Sequence, residues 1–343
     1  MKIIHTADLH IDSPIKGPSA EHSRERRREI LHTFGAICQR ARDNSVDAVI
    51  VSGDLFDKST VVKSSLQYVI ACIKRSAPIV FLYLRGNHDE KDAFDGFELP
   101  ENLVILSDGK CPVDFSDDVV VYSFESSDSL AACPSLDEKK FNIVMYHGDL
   151  DPIATDISNK NIDYLALGHY HGRDFGSIDR RGMWLYPGCP NGRGYDECGE
   201  KSVELLEICD HNLSHMPIMT FDRLYHDVHI SADNIMSNYE LSEALAAKLV
   251  DIPRDDCVRV EFEGRADSMI SPFSPLVREV LSDFFDFKIV DSTRVSVSDA
   301  EISSLSLRGK FVELIRESDA DDSVKELAIK YAFAALSGEE MPR

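Results

Sequence analysis

A chain of 343 residues that is 43% hydrophobic has material for two domains, because single cores rarely grow past about 250–300 residues. Its 37 Lys+Arg against 60 Asp+Glu leave a formal charge of −23. That balance argues against nucleic acid as a partner, unless several carboxylates surround divalent cations and so change the local charge.

No run reaches the ~20 apolar residues of a bilayer span, and the opening MKIIHTADLH is too short an apolar stretch for a signal peptide. Eight cysteines (38, 72, 111, 133, 189, 198, 209 and 257) show no CxxC spacing. They read as reduced thiols of a soluble, cytoplasmic protein with no membrane partner.

In chain order, Lys2–Thr6 predicts a strand and Glu29–Ala41 a helix, with Ile30, Phe34, Ile37 and Ala41 on one face. Ala48–Ser52 predicts a second strand, Val61–Lys74 a second helix and Ile79–Leu84 a third strand. DAVIVSG and PIVFLYL are apolar on both faces, as strands between layers must be. Beyond residue 100 strands dominate: Val119–Ser123, Asn142–Tyr146, Tyr164–Leu167, Met183–Tyr186 and Val203–Ile208. An α/β half running into a β-rich half predicts two packed sheets with helices outside.

Near Phe221 the character changes. YHDVHI predicts a strand, YELSEALAAKLV a helix, and DCVRVEFEG a strand with Val258, Val260 and Phe262 on one side. The final helix, Ser323–Leu336, aligns Val324, Leu327, Ala328, Tyr331, Ala332 and Ala335, with Gly338 just past its end. Packing on its own domain is the simpler use of that face; docking to a partner is the other. The expected division is 1–221 for a catalytic domain and 222–343 for a smaller α+β accessory domain.

Polar clusters follow the apolar runs: HTADLHID, VSGDLFDK, LRGNHDE, MYHGDL and LGHYHGR. In layered α/β folds sites assemble at the carboxyl ends of strands. Oxygen and imidazole donors suit manganese, iron or zinc. Asp8, His10, Asp54, Asn87, His147, His169 and His171 are too many for one ion and suit two that share a carboxylate.

The order DxH, GD, GNHD, H, GHxH resembles the calcineurin-like metallophosphoesterase superfamily over roughly residues 1–220. HTADLHIDSP and YPGCPNGRGYDE are most similar to its DNA double-strand-break repair nucleases, the bacterial SbcD and YhaO-type exonucleases. The resemblance implies a four-layer αββα sandwich. It implies Asp8, His10, Asp54 and His171 at one divalent ion and Asp54, Asn87, His147 and His169 at a second, manganese first, with iron or zinc as alternatives.

Two ions about 3.5–4 Å apart clamp a phosphodiester and bring the pKa of bound water from 15.7 toward roughly 7, so that hydroxide attacks. The resemblance puts His88 beside the leaving oxygen, as electrostatic stabiliser or proton donor, with Asp57 orienting it. Gly86 is expected to permit the turn before it. DNA becomes the expected substrate. A coiled-coil SbcC-like ATPase and a second copy of the chain stay open as partners.

Arg85, Arg173 and Arg193 adjoin motifs and are candidate substrate contacts, and Tyr195 a candidate stacking surface for a base. RERRRE, residues 24–29, reads as a solvated helical face rather than a phosphate track. His5, His22, His32, His211, His215, His226 and His229 read as structural or solvent-facing, and Asp12 and Asp89 as loop braces. Two rivals share the same residues: a hydrolase of small or cyclic nucleotides, and a DNA-end-binding scaffold with vestigial chemistry.

Overall fold

In a computed structural model, all residues are described except 16, 18, 58, 59, 91, 92, 109–111, 268, 269, 297–305 and 338–343. Cys111 and Gly338 therefore lie outside the described residues. The chain divides into two compact units, Met1–Leu224 and Tyr225–Arg343.

Unit 1 begins β1 (Lys2–Thr6), α1 (Ala20–Asp43), β2 (Ala48–Ser52), α2 (Lys63–Arg75), β3 (Val80–Leu84) and β4 (Leu103–Leu106). It continues β5 (Val113–Asp114), β6 (Val119–Phe124), α3 (Ser127–Ala131), β7 (Phe141–His147) and β8 (Tyr164–Gly168). It ends with β9 (Asp174–Ser177), β10 (Met183–Tyr186), β11 (Ser202–Cys209) and β12 (Asn212–Met219). Two six-stranded sheets result, ordered β12-β11-β1-β2-β3-β4 and β5-β6-β7-β8-β10-β9.

Alternation along the strands builds the layers. Ile4, Val49, Val51 and Phe81 face α1 and α2, meeting Ile30, Phe34, Ile37, Leu66 and Val69. Their neighbours Ile3, Ile50, Leu82 and Leu84 face the second sheet and meet Val121, Ile143, Met145 and Tyr164. The outer face of the second sheet, with Val144, Leu165 and Leu167, is covered by Leu130 of α3 and by Ile153, Ile157 and Ile162 from the following turns. The α/β sandwich is as expected, but its fourth layer is one five-residue helix and turns.

Parallel register carries the site. β1, β2 and β3 run parallel, pairing Thr6 with Val51 and Ser52 with Leu84, so three chains leave the sheet at one level. In the second sheet β7 and β8 run parallel and pair His147 with Gly168. His5 ties the sheets together inside through Nδ1, 2.8 Å from the Tyr164 hydroxyl, while its Nε2 lies 3.1 Å from Ser52 Oγ of its own sheet. Burial pushes this imidazole down to about 3, as befits a neutral, structural histidine.

Several elements differ from expectation. α1 starts nine residues before Glu29, capped by Ser19, whose side chain accepts from His22 N; a charged first turn carries no apolar period to reveal it. RERRRE lies within that helix, and Arg26 is 2% exposed. Its Nη2 donates to Asn191 Oδ1 (2.8 Å) and the Gly192 carbonyl (2.6 Å), so the run is not wholly a solvated face. β12 escaped notice as an edge strand mostly open to solvent, where Pro217 removes no ladder bond.

Unit 2 contains β13 (Tyr225–Ser231), α4 (Asn238–Lys248), β14 (Cys257–Glu263), β15 (Arg265–Asp267), α5 (Pro275–Leu281), β16 (Asp286–Asp291), β17 (Arg294–Ser296), α6 (Leu307–Glu317) and α7 (Asp322–Ser337). β13, β14 and β16 form a parallel sheet, with Val258, Val260 and Phe262 packed on Leu241, Leu245, Val277 and Leu281. α7 buries Ile329 and Phe333 against Val312 of α6, whereas Val324, Leu327 and Tyr331 are exposed. The expected stripe is rotated because α7 is apolar around most of its circumference, and periodicity alone cannot choose a side. Among the described residues, no helix is long and apolar enough to cross a membrane, and seven cysteines are free.

Candidate metal centre

Four of the seven candidate ligands occupy left-handed backbone: Asp8 at φ 53°, His10 at 47°, Asp54 at 50° and His169 at 102°. Each such conformation costs on the order of 1–3 kcal/mol for a residue with a side chain and persists where surroundings over-determine it. They sit just beyond β1, β2 and β8. Asp8 N and His10 N donate to the carbonyls of Gly53 and Asp54 (3.1 and 2.9 Å), and both Asp8 oxygens lie 3.0 Å from His169 N. Backbone bonds thus fasten the loops to one another before any side chain is considered.

Gly86 does not serve through a special φ. A Cβ there would lie 2.1 Å from Asp54 Oδ1 and 2.5 Å from Asp54 N, so its contribution is close approach. Asp89 braces the same loop, accepting from Gly86 N (2.8 Å) and Phe56 N (2.9 Å). Asp12 braces its own, accepting from Val62 N (2.9 Å) and Ser65 Oγ (3.0 Å).

Among the described residues three groups of donor atoms form, each within 4.8 Å: Asp8, His10 and His171; Asp8, Asp54 and His147; His10, Asp57 and His88. The Asp54 carboxylate stands between two histidines, its Oδ2 3.6 Å from His10 Nε2 and 3.2 Å from His147 Nε2. Asn87 Oδ1 lies 3.0 Å from His147 Nε2. The His169 ring packs edge-on to that of His147 at 5.4 Å, and its Nε2 is 3.8 Å from Asp149. All seven predicted ligands therefore meet at one place, with His169 at the rim.

The donors fit a cation. His147 Nδ1 is 2.9 Å from the Ser52 carbonyl, which only accepts, so Nδ1 carries hydrogen. Nε2 of the neutral ring then directs a lone pair at Asp54 Oδ2 and Asn87 Oδ1, an arrangement that needs positive charge between them. The protein alone supplies it by protonation: although burial opposes it, Asp54 and Asp8 raise the His147 pKa. Burial lifts Asp8 to about 7 against the pull of His147 and His171. Burial also opposes ionisation of Asp54, but His147, the His88 amide and His10 bring it down to about 2. Burial and the charge of Arg193 bring His10 down to about 3.

His88 N donates to Asp54 Oδ1 (2.7 Å), and its ring stacks edge-on to His10 at 4.9 Å. Its Nδ1 is 3.3 Å from Asp57 Oδ1, with the side chain 44% exposed. A carboxylate only accepts, so Nδ1 donates.

The substrate candidates separate. Arg173 is held bidentately by the fully buried Glu204, at 2.9 Å from each nitrogen, and lies over the Phe175 ring. A buried carboxylate requires that cation, so Arg173 is held in an ion pair, as Arg193 is by Glu197. Arg193 is at the site, bonded to Glu197; Tyr195 shares its loop, and Arg85 is half-buried after β3. Sequence reasoning missed Glu197, whose Oε1 is 2.8 Å from His171 Nδ1 across 26 residues; no local signal marks it.

Two sheets whose parallel strands end in this donor set define a metallophosphoesterase. The chain belongs to the calcineurin-like phosphoesterase family, whose model matches residues 1–173, and is a metal-dependent hydrolase of the kind that uses a dinuclear divalent centre. It is 26% identical over 298 residues to YhaO of Bacillus subtilis, an uncharacterized metallophosphoesterase, covering 78% of this chain and 72% of that one. It is 26% identical over 313 residues to the DNA double-strand break repair protein Mre11 of Methanosarcina acetivorans, covering 82% of this chain but 48% of that protein. Among solved structures, TT1561 of Thermus thermophilus overlaps 63% of this chain and 98% of its own at 14% identity, with a TM-score of 0.42.

Proposed function

We propose that the chain is a manganese-dependent phosphodiesterase acting on DNA as an exo- or endonuclease. In this reading Asp8, His10, Asp54 and His171 hold one ion, and Asp54, Asn87, His147 and His169 hold the other. The observation behind it is the Asp54 carboxylate, within 3.6 Å of His10 on one side and 3.2 Å of His147 on the other. Oxygen and imidazole donors without thiolate suit manganese, with iron and zinc as the alternatives. Bound there, a pair of divalent cations supplies Lewis acidity toward phosphoryl oxygens and a nucleophile at neutral pH.

The side chains do the rest. Asn87 adds an oxygen donor without adding negative charge that would repel phosphate. His88, with Nδ1 turned to Asp57, is the residue that assists the departing oxygen. Arg193 offers a cation to the phosphodiester. The likeness to Mre11 across most of the chain supports DNA as the substrate.

The net charge of −23 favours a second reading, hydrolysis of a small or cyclic phosphodiester. With Mn²⁺ present, linear DNA and bis-p-nitrophenyl phosphate are offered to the wild type and to Asp54→Asn. Cleavage of DNA that vanishes in the variant supports the nuclease. Turnover of the small ester alone supports the second reading, and DNA binding without hydrolysis of either compound defeats both.

A further inference from the structure

Glu197 is only 6% exposed, and its carboxylate meets two partners at the candidate centre. Oε1 lies 2.8 Å from His171 Nδ1 and 2.6 Å from Arg193 Nη2, while Oε2 accepts from Arg193 N at 2.7 Å. On the other side of the ring, His171 Nε2 faces His10 Nε2 at 3.2 Å, inside the candidate metal centre. One carboxylate thus holds both a candidate ligand and a candidate substrate cation.

Arg193 Nη2 also stands 3.0 Å from His171 Nδ1, and the two arrangements exclude each other. A guanidinium only donates. If it donated to Nδ1, the ring proton would move to Nε2 and point into the centre. With Glu197 accepting, Nδ1 keeps the proton and Nε2 keeps its lone pair.

The loop carrying Glu197 is anchored from outside the site. Arg26 of α1 grips Asn191 and the Gly192 carbonyl, Asn191 Nδ2 donates to Thr33 Oγ1 at 2.9 Å, and Thr220 Oγ1 donates to the Pro190 carbonyl at 2.7 Å.

We propose that Glu197 is a positioning residue that fixes the Nδ1–H tautomer of His171 and prevents Arg193 from reversing it. This rests on the reading of His171 as a metal ligand. Partners of ligating histidines typically change metal affinity by about 10–100-fold when removed. Here the loss has a particular cause, because without Glu197 the neighbouring arginine drives the wrong tautomer. Removing Arg193 as well therefore restores part of it.

The test is calorimetric titration of the metal-stripped chain with MnCl₂, alongside thermal unfolding in EDTA. Wild type is expected to take up two ions. Glu197→Ala is expected to bind one of them about 10–100-fold more weakly and the other normally, with Glu197→Gln between, since an amide oxygen still accepts from Nδ1. Glu197→Ala/Arg193→Ala is expected to recover part of the loss. Wild-type affinity at both sites in Glu197→Ala overturns the assignment. So does a loss at both sites that follows a lowered unfolding temperature in EDTA and is not relieved in the double variant, for that is a structural role. If wild type takes up fewer than two ions, the dinuclear reading itself fails and takes this inference with it.

Discussion

Replacing Gly168 with alanine tests whether the two sheets meet as closely as described. Gly168 ends β8, and a Cβ on it would lie 1.9 Å from the Ser52 carbonyl oxygen, 2.8 Å from His147 Nδ1 and 2.9 Å from Ala7 Cβ. Comfortable separation is roughly 3.5 Å, so something must move by about 1.5 Å. The obstacle is the backbone of a fully buried strand residue, which no rotamer change relieves. Overpacking of this kind costs about 1–3 kcal/mol. At roughly 2–4 °C per kcal/mol for a unit of this size, unfolding should occur about 2–12 °C lower. The displaced carbonyl is the one that orients His147, and about 1 Å of misplacement costs on the order of 10²-fold in rate. Scanning fluorimetry and steady-state hydrolysis of bis-p-nitrophenyl phosphate at saturating Mn²⁺ measure both effects. A variant with unchanged melting and turnover within a few-fold of wild type would refute the close approach.

His88→Ala should retain both manganese ions by calorimetry while turnover falls about 10²–10⁴-fold, the usual share of a general acid; lost metal would make His88 a ligand instead. Asp54→Asn should reduce manganese stoichiometry below two and abolish hydrolysis, and two ions retained would mean that this carboxylate is not shared. His5 predicts a pH effect on stability. Its pKa is about 3 in the native chain against about 6.5 unfolded, so between these values the unfolded state binds more protons. Stability contributed by His5 therefore rises with pH through that window and is flat above it. Urea titrations should show wild type losing about 2 kcal/mol more than His5→Gln between pH 7 and pH 5; equal losses would exclude the effect.

What the sequence disclosed is whatever has a local signature. DxH, GD, GNHD and GHxH were legible because each follows an apolar run, and parallel register then brings the strand ends level. Arg26 was not legible: its charged neighbours suggest solvent, and the partners that bury it lie 165 and 166 residues away. The ion pair of Arg173 was hidden for the same reason, since Glu204 lies on β11, 31 residues away. Glu197 sits in a stretch whose glycines and prolines announce only a loop. α7 shows the complementary limit, because an apolar helix can bury any of several stripes and its neighbours α6 and β17 decide which.

The interior histidine bridge bears on the spacing of the whole centre. Asp8, His10, Asp54 and Asn87 hang from one sheet, and His147, His169 and His171 from the other. Their separation is therefore a ruler marked by how the two sheets are offset. Greasy contacts tolerate sliding, but the bond from His5 to Tyr164 is directional and resists it. An alteration deep beneath the cleft, touching no donor atom, would thus shift the donors of one sheet against those of the other.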